Sequence, residues 1–262
     1  MSVLDVDPTG RPVAVVSGGS SGIGLATVEA LLAAGWRVGF FSQQADRIES
    51  ARRELATRFP EPSIHAAVVD LRDESGVRGF FDTIGSRWGP VGALVCNAGY
   101  SPKGPAGRMP LAEIPLAEWE DVVRVNLTGA LVCCQAVLPQ MIGTGHGRIV
   151  LVGSLAARTL PRIAGASYVA SKSALAGLAR SIVSEYSKNG ITANTVCPGR
   201  ILSEMAGSAD SPTNLAALER IPIGRLGRPV DVARIVEFLV RPESDFINGA
   251  IFDVNGGEFA PA

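Results

Sequence analysis

The stretch Ser17-Gly18-Gly19-Ser20-Ser21-Gly22-Ile23-Gly24 decides the fold of this 262-residue chain. It follows the apolar run Val13–Ser17 and opens a segment with helical periodicity, Ile23–Ala34. Glycines at such a junction permit a tight turn and let the backbone approach a phosphate closely. The helix N-terminus presents free N–H groups to the same anion, so the stretch predicts a pyrophosphate site at a strand-to-helix turn.

Short β-branched runs recur at regular intervals along the rest of the chain. Most are almost wholly apolar, which is typical of parallel strands buried on both faces. We predict strands at Val13–Ser17, Arg37–Ser42, Ile64–Asp70, Ala93–Cys96, Arg148–Gly153, Thr192–Cys197 and Ala250–Val254. Segments with helical periodicity lie between them, among them Ile23–Ala34, Asp46–Arg58 and Glu118–Met141. This alternation predicts an α/β fold: a single doubly wound, Rossmann-type domain with a mostly seven-stranded parallel sheet flanked by helices.

The glycine-rich turn also fits a different pattern. Gly18, Ser20 and Gly22 spell G-x-S-x-G, which is typical of the nucleophile elbow of α/β-hydrolases. That chemistry needs an acid and then a histidine later in the chain, and no histidine follows His146. The turn also follows the first strand, so we favour the phosphate-binding interpretation.

Composition and charge argue against several classes of partner. Apolar residues make up 47% of the chain and charged residues 19%, as in a globular protein. The formal net charge is -1, so we expect no nucleic acid partner. The four cysteines lack C-x-x-C spacing and there are two histidines, so we expect no metal site. We expect buried, reduced thiols at Cys96, Cys133, Cys134 and Cys197.

Two segments bear on membrane and export signals. The N-terminus lacks a basic segment followed by an apolar one, so we expect residues 1–11 to be an extension without a signal peptide. The segment Val125–Gly147 carries no charged residue of the Asp, Glu, Lys or Arg type and could be read as a membrane span. Polar residues and a proline interrupt it, so we favour a buried core helix and expect no membrane partner.

Tyr168 and Lys172 stand four residues apart in a segment with few helix breakers, 167–188. On a helix they share a face, and a lysine ammonium beside a phenol favours the phenolate. An unperturbed tyrosine has a pKa near ~10, so it needs such help to exchange protons at neutral pH. The chain has three tyrosines and three lysines, and no other pair has this spacing. We therefore predict that Tyr168 is a general acid and base and that Lys172 lowers its pKa.

These two motifs are part of a longer ordered set. Its other members are Asp70-Leu71, Asn97-Ala98-Gly99, Asn126, Ser154, Pro198-Gly199 and Asn255-Gly256-Gly257. In order and approximate spacing the set resembles the classical short-chain dehydrogenase/reductase family, over roughly residues 12–259. The chain is most similar to the 3-oxoacyl-carrier-protein reductase-like branch of that family.

The resemblance implies an NAD(P)(H)-dependent oxidoreductase that moves a hydride between nicotinamide and a carbonyl or secondary alcohol, most closely a 3-oxoacyl thioester or related ketone. It implies that Ser154 stabilises negative charge on the substrate oxygen, and that Lys172 also holds the nicotinamide ribose. Asn126 would help to hold a water that links Lys172 to solvent. Simpler alternatives stay open: Ser154 as a helix N-cap, and Asn126 as a backbone partner inside a bent helix.

The resemblance also assigns residues to the cofactor. Asp70 would meet the adenine amino group, although it could instead cap a strand end, and Ile201 would meet the carboxamide. The expected cofactor-binding set is Gly18, Ser20, Ser21, Gly22, Ile23, Gly24, Ser42, Gln43, Asp70, Leu71, Asn97, Ala98, Gly99, Tyr168, Lys172, Pro198, Gly199, Ile201 and Ser203.

The end of the second predicted strand bears on the choice of dinucleotide. A carboxylate there would accept from the ribose 2′-OH and repel a 2′-phosphate. Ser42 and the two glutamines after it include no acid, and neither Gln43 nor Ser21 is the base that NADP-preferring relatives often carry. Arg47 could reach the phosphate. We therefore favour NADP(H) and keep NAD(H) as the alternative.

Two irregular stretches, Tyr100–Pro115 and Leu202–Arg220, follow predicted strands, where ligands lie in open α/β sheets. We expect both to shape the pocket and 202–220 to be a substrate lid. Family members are commonly tetramers, so we expect a cytoplasmic homotetramer that buries the faces around Leu131–Val137 and Ile251–Phe259. A non-catalytic NAD(P)-binding redox sensor and a methyltransferase are the other classes considered. Neither class needs all of Asn126, Ser154, Tyr168 and Lys172. Because all four are present, we favour the oxidoreductase.

Overall fold

The predicted apolar runs form one parallel sheet in a computed structural model that describes residues 10–104 and 107–261. The strands are β1 Val13–Ser17, β2 Arg37–Ser42, β3 Ile64–Val68, β4 Ala93–Cys96, β5 Gly147–Val152, β6 Ile191–Pro198 and β7 Ile251–Val254. Their order across the sheet is β3-β2-β1-β4-β5-β6-β7, and every neighbouring pair is parallel. The predicted α/β fold with seven parallel strands is therefore confirmed. Residues 1–9 of the expected extension, and residues 105 and 106 of the first loop, lie outside the described residues.

Helices connect the strands and cover both faces of the sheet. They are α1 Gly22–Ala33, α2 Ala45–Ala56, α3 Glu74–Trp88, α4 Leu116–Val123, α5 Gly129–Thr144, α6 Ala166–Tyr186, α7 Pro212–Leu218 and α8 Pro229–Val240. Successive strand residues point to opposite faces, so Val15 joins the core with α3, α5 and α6, whereas Val16 joins the core with α1, α2 and α8. Both strand residues are fully buried, which explains why the strands read as continuous apolar runs.

Two predicted boundaries shift for local reasons. The third strand ends at Val68 and not at Asp70, because Asp70 turns the chain: its Oδ1 accepts from the Arg72 backbone N–H at 2.9 Å. The predicted helix Glu118–Met141 is divided into α4 and α5 by a π-helical segment, Arg124–Thr128. Such a bulge inserts a residue into the helix and often marks a functional position.

The helical stretch Leu116–Thr144 is long and apolar enough to cross a membrane by length and composition alone. In this structure its apolar side chains, such as Val132 and Val137, are packed in the core beside α3 and the sheet. A core helix therefore accounts for its composition. All four cysteines are free and buried, as predicted.

Candidate active site

The carboxyl ends of the strands meet at one edge of the sheet and open onto a cavity of about 630 Å³. Parallel sheets bind ligands at this edge, where the strand order reverses direction; here that point lies between β1 and β4. Every predicted catalytic and cofactor-binding residue lines the cavity except Gly24 and Asn126. The structure therefore brings together residues that are as far apart in sequence as Gly18 and Ser203.

The glycine-rich turn has the geometry that a close approach of ligand requires. Gly18 and Gly22 have positive φ angles of 67° and 54°, which side chains other than glycine rarely adopt. A Cβ on Gly18 would lie 2.9 Å from the Ala98 Cα, so this loop is packed directly against the residues after β4. Ser21 precedes α1 without a side-chain cap, which leaves the first-turn N–H groups available to an anion. The turn therefore fits a pyrophosphate.

Gly24 packs against the glycine-rich turn from below. It does not line the cavity, and a Cβ there would lie 2.0 Å from the Gly18 carbonyl oxygen. Its missing side chain lets α1 pack under the loop, so Gly24 shapes the cradle and does not face the ligand. Its predicted part in cofactor binding would therefore be indirect, through the shape of the loop.

Lys172 lies on α6, lines the cavity and is 4% exposed. Its Nζ donates to the Val152 carbonyl at the end of β5, at 2.8 Å. Burial lowers the pKa of Lys172 to about 8. The ammonium is therefore still charged at neutral pH, at a position where a Cβ on Gly99 would come within 2.9 Å of it.

Tyr168 lies one turn before Lys172 on the same helix and lines the cavity. Burial raises the pKa of Tyr168 above its ordinary value, and a hydrogen bond with Ser154 opposes that shift. We expected Lys172 to lower this pKa, but in this structure its ammonium donates to the Val152 carbonyl while the phenol is desolvated. Tyr168 and Lys172 thus share a helix face as predicted, but Lys172 does not lower the pKa of Tyr168 in this structure.

Ser154 is a helix N-cap, one of the alternatives that the sequence left open, and it also lines the cavity. Its Oγ accepts from the Ala156 N–H at 3.1 Å, which caps the short helical turn Leu155–Ala157 after β5. Its side chain also lines the cavity with Tyr168 and opposes the rise in the pKa of that phenol. Both side chains therefore border the same cavity, where a substrate oxygen could accept from their hydroxyls.

Asn126 is buried at 1% exposure inside the π-helical segment and does not line the cavity. Its Oδ1 accepts from the Tyr100 N–H and its Nδ2 donates to the Tyr100 carbonyl, both at 3.0 Å. The Nδ2 also donates to Ser171 Oγ at 3.1 Å. Asn126 thus fixes the start of the loop after β4 and connects it to the helix of Tyr168.

The far end of the cavity contains a cation that our sequence analysis missed. Arg72 lines it, donates to Gln43 Oε1 at 3.2 Å and forms an ion pair with Asp70 at 3.1 Å. Its other side pairs with Asp121 on α4 at 2.6 Å. The only sequence signal was its position directly after Asp70-Leu71. Nearby, Ser20 Oγ donates to Ser42 Oγ at 2.8 Å, which joins the glycine loop to the end of β2.

Comparisons with known proteins agree with this geometry. Residues 12–214 match the family model described as short chain dehydrogenase. The cis-4-hydroxycyclohexanecarboxylate dehydrogenase of Sinomonas cyclohexanicum is 34% identical over 94% of this chain and 95% of its own. The 3-oxoacyl-(acyl-carrier-protein) reductase of Mycobacterium tuberculosis is 35% identical, over 93% and 91% of the two chains. Actinorhodin polyketide ketoreductase, solved with NADPH, superposes with a TM-score of 0.87 at 30% identity, over 97% of this chain and 99% of its own.

Proposed function

The chain belongs to the short chain dehydrogenase family, and from this premise we propose that it reduces a ketone at the cavity, with Tyr168 as the proton donor. As a family member it is an NAD(P)-dependent dehydrogenase/reductase acting on CH–OH or carbonyl groups. The observation that carries the proposal is the meeting of the Tyr168 and Ser154 side chains in one cavity, next to a charged Lys172 and the glycine-rich turn.

Each residue has a distinct part in the proposed reaction. When it is bound, reduced nicotinamide supplies the hydride. The Ser154 hydroxyl donates to the substrate oxygen and stabilises the charge that develops there. The Tyr168 hydroxyl donates its proton to that oxygen, and in the reverse direction takes it back. Lys172 would hold the nicotinamide ribose, which is the other role that the resemblance implies for it. Asn126 holds the Tyr100 segment against α6 through its hydrogen bonds to Tyr100 and Ser171.

NADP(H) is the proposed cofactor. Ser42 and Gln43 offer no carboxylate that would repel a 2′-phosphate, and Arg72 and Arg47 both line this end of the cavity. A guanidinium binds phosphate oxygens in a fixed, bidentate geometry. We expect a lower KM for NADPH than for NADH, and Arg72→Gln should raise the KM for NADPH more than that for NADH. A tenfold lower KM for NADH than for NADPH in the unmodified protein would contradict this choice.

The substrate proposal is a small ketone or 3-oxoacyl thioester, under a lid formed by residues 202–220. Met205, Ala206 and Arg220 from this segment line the cavity, which supports a lid. The names of the relatives support ketones and secondary alcohols, including a hydroxycyclohexanecarboxylate and a 3-oxoacyl carrier protein. The whole chain, 1–262, would then act as one binding and catalytic domain.

We also propose a cytoplasmic homotetramer. Leu131 and Ile142 on α5 are about two-fifths exposed, and Phe246 next to β7 is almost fully exposed. Paired helices and paired β7 edges would bury such side chains. Most apolar residues of Leu131–Val137 already lie in the core of the domain. Fewer residues of this segment are therefore available for a contact between subunits than we expected from the sequence. Sedimentation at micromolar concentration tests this, and a pure monomer would contradict it.

The test of the reaction follows the absorbance of NADPH and NADH with a panel of cyclic ketones, linear ketones and 3-oxoacyl thioesters. We expect turnover of at least one class. A protein that binds nucleotide tightly but turns over none of them would instead fit the redox-sensor alternative and contradict the proposal.

A further inference from the structure

Three segments meet at the mouth of the cavity, and basic side chains connect them. Lys103, after β4, donates from Nζ to the Met205 carbonyl of the lid at 3.2 Å. Arg108 donates from Nη1 to the Pro161 carbonyl, between β5 and α6, at 2.6 Å. Both cations are exposed and hydrogen-bond only a neutral carbonyl among the described residues. Among the described residues, these two cations thus have no acidic partner.

Arg162, next to Pro161, adds to that charge. It lines the cavity, is exposed, and has no hydrogen-bond or ion-pair partner within the described parts of the chain. The two acidic residues among the described lining of the whole cavity are already paired: Glu258 with Arg220 at 3.0 Å, and Asp70, at the far end, with Arg72 at 3.1 Å. A guanidinium that faces a ligand cavity without a partner matches a carboxylate, since it can bind both oxygens at once.

The walls beside Arg162 are apolar. Leu160 is 86% exposed and Met205 50% exposed, and both line the cavity together with Ile163 and Leu155. Apolar side chains that line a ligand cavity can cover the carbon skeleton of a bound substrate. The cavity of about 630 Å³ must also hold the dinucleotide, so the space left for substrate is compact.

We propose that the substrate is a compact ketone or secondary alcohol that carries a carboxylate, which Arg162 binds while Leu160 and Met205 cover its carbon skeleton. Lys103 supplements the charge at the mouth. This inference rests on the proposed function and adds to it the chemical class of the substrate and the residue that selects it.

A matched pair of ketones separates charge from shape. We would compare 4-oxocyclohexanecarboxylate with its methyl ester, at saturating NADPH and again at saturating NADH. The acid should have a kcat/KM at least about tenfold above that of the ester, the effect expected of a charge-assisted hydrogen bond. This preference should shrink as salt is added, because salt screens exposed charges.

Variants at position 162 locate the effect. Arg162→Gln should reduce the acid-to-ester ratio of kcat/KM by about tenfold, and Arg162→Glu should invert it. The control is Arg234→Gln, an exposed arginine on α8 that does not line the cavity, which should leave the ratio unchanged. Equal kcat/KM for acid and ester, or an unchanged ratio in Arg162→Gln, would overturn the carboxylate site alone. Turnover of neither compound by a protein that reduces another ketone of the panel would overturn the carboxylate proposal alone, whereas turnover of no panel member would contradict the proposed reduction itself.

Discussion

Replacing Lys172 by methionine should change the stability of the protein in a direction that depends on pH. The side chain is 4% exposed, and burial lowers its pKa from 10.5 to about 8. Each pKa unit corresponds to about 1.4 kcal/mol, so the charged lysine costs the fold roughly 3 kcal/mol. Methionine has a similar length and no charge, and it removes that cost together with the donor to the Val152 carbonyl.

The sign follows from proton binding. Below pH 8 both the folded and the unfolded wild-type chains hold the Lys172 proton, so the cost is fully present. Between pH 8 and about 10.5 the folded chain releases the proton first, the unfolded state binds more protons, and stability rises with pH. The free energy of unfolding of wild type, relative to Lys172→Met, should therefore rise by roughly 2–3 kcal/mol from about pH 7 to pH 10.

At neutral pH two effects of the substitution oppose each other. Loss of the buried charge stabilises the variant by roughly 3 kcal/mol, and the unpaired carbonyl destabilises it by about 1–3 kcal/mol. We therefore expect Lys172→Met to be at least as stable as wild type near pH 7 and clearly less stable near pH 10. Such a result would mean that a residue proposed for catalysis lowers stability at working pH.

The assay is urea unfolding of the nucleotide-free protein, followed by far-UV circular dichroism at several pH values. Groups that titrate in this range without interacting with Lys172 are common to both chains and cancel in the difference. Lys188→Met is the control, because Lys188 is exposed and its ammonium is solvated in the folded and unfolded chains alike. A difference between wild type and Lys172→Met that stays flat with pH would refute the reasoning.

Three further predictions concern single positions. Gly99→Ala should lower kcat by about tenfold or more, because its Cβ would lie 2.9 Å from Lys172 Nζ; Gly79→Ala, whose Cβ would meet nothing within 4 Å, should leave kcat unchanged. Gly24→Ala should raise the KM for dinucleotide through its 2.0 Å clash with the glycine loop, and an unchanged KM would count against the cradle. Burial lowers the pKa of His146 to about 4, so the unfolded chain takes up its proton first as pH falls. The stability that neutral His146 contributes above about pH 6.5 should therefore be lost toward pH 4. In acid unfolding, His146→Gln should lose less stability over this range than wild type. Identical profiles of unfolding free energy against pH for the two proteins would contradict the prediction.

Much of the fold was predictable because its signals are local. Runs such as Val13–Ser17 are buried on both faces, so hydrophobicity alone marks them as parallel strands. In the turn after β1, Gly18 and Gly22 have positive φ angles, which other residues rarely adopt. These glycines are therefore the local signal that favours a phosphate-binding turn. For the π-helical segment Arg124–Thr128, the sequence offered only Asn126, as a residue that could lie inside a bent helix, and nothing local predicted the bounds of the segment.

Interactions between distant segments were harder to predict. The pKa of Tyr168 depends on where the Lys172 ammonium points and on how far the phenol is desolvated, and spacing on a helix specifies neither. Arg72 could be placed near the cofactor only once Gln43 and Asp121, from other elements, surrounded it. The basic mouth likewise arises from segments that meet only in the folded chain.

The most direct test of the account is single-turnover hydride transfer with Tyr168→Phe. Enzyme preloaded with NADPH is mixed with a ketone identified by the panel, and the decay of nicotinamide fluorescence gives the rate. Tyr186→Phe, which removes a hydroxyl elsewhere on α6, is the control. We predict that Tyr168→Phe binds NADPH as wild type does but transfers hydride at least about 100-fold more slowly, while the control is unaffected. Wild-type rates in Tyr168→Phe would contradict the central claim that this phenol donates the proton.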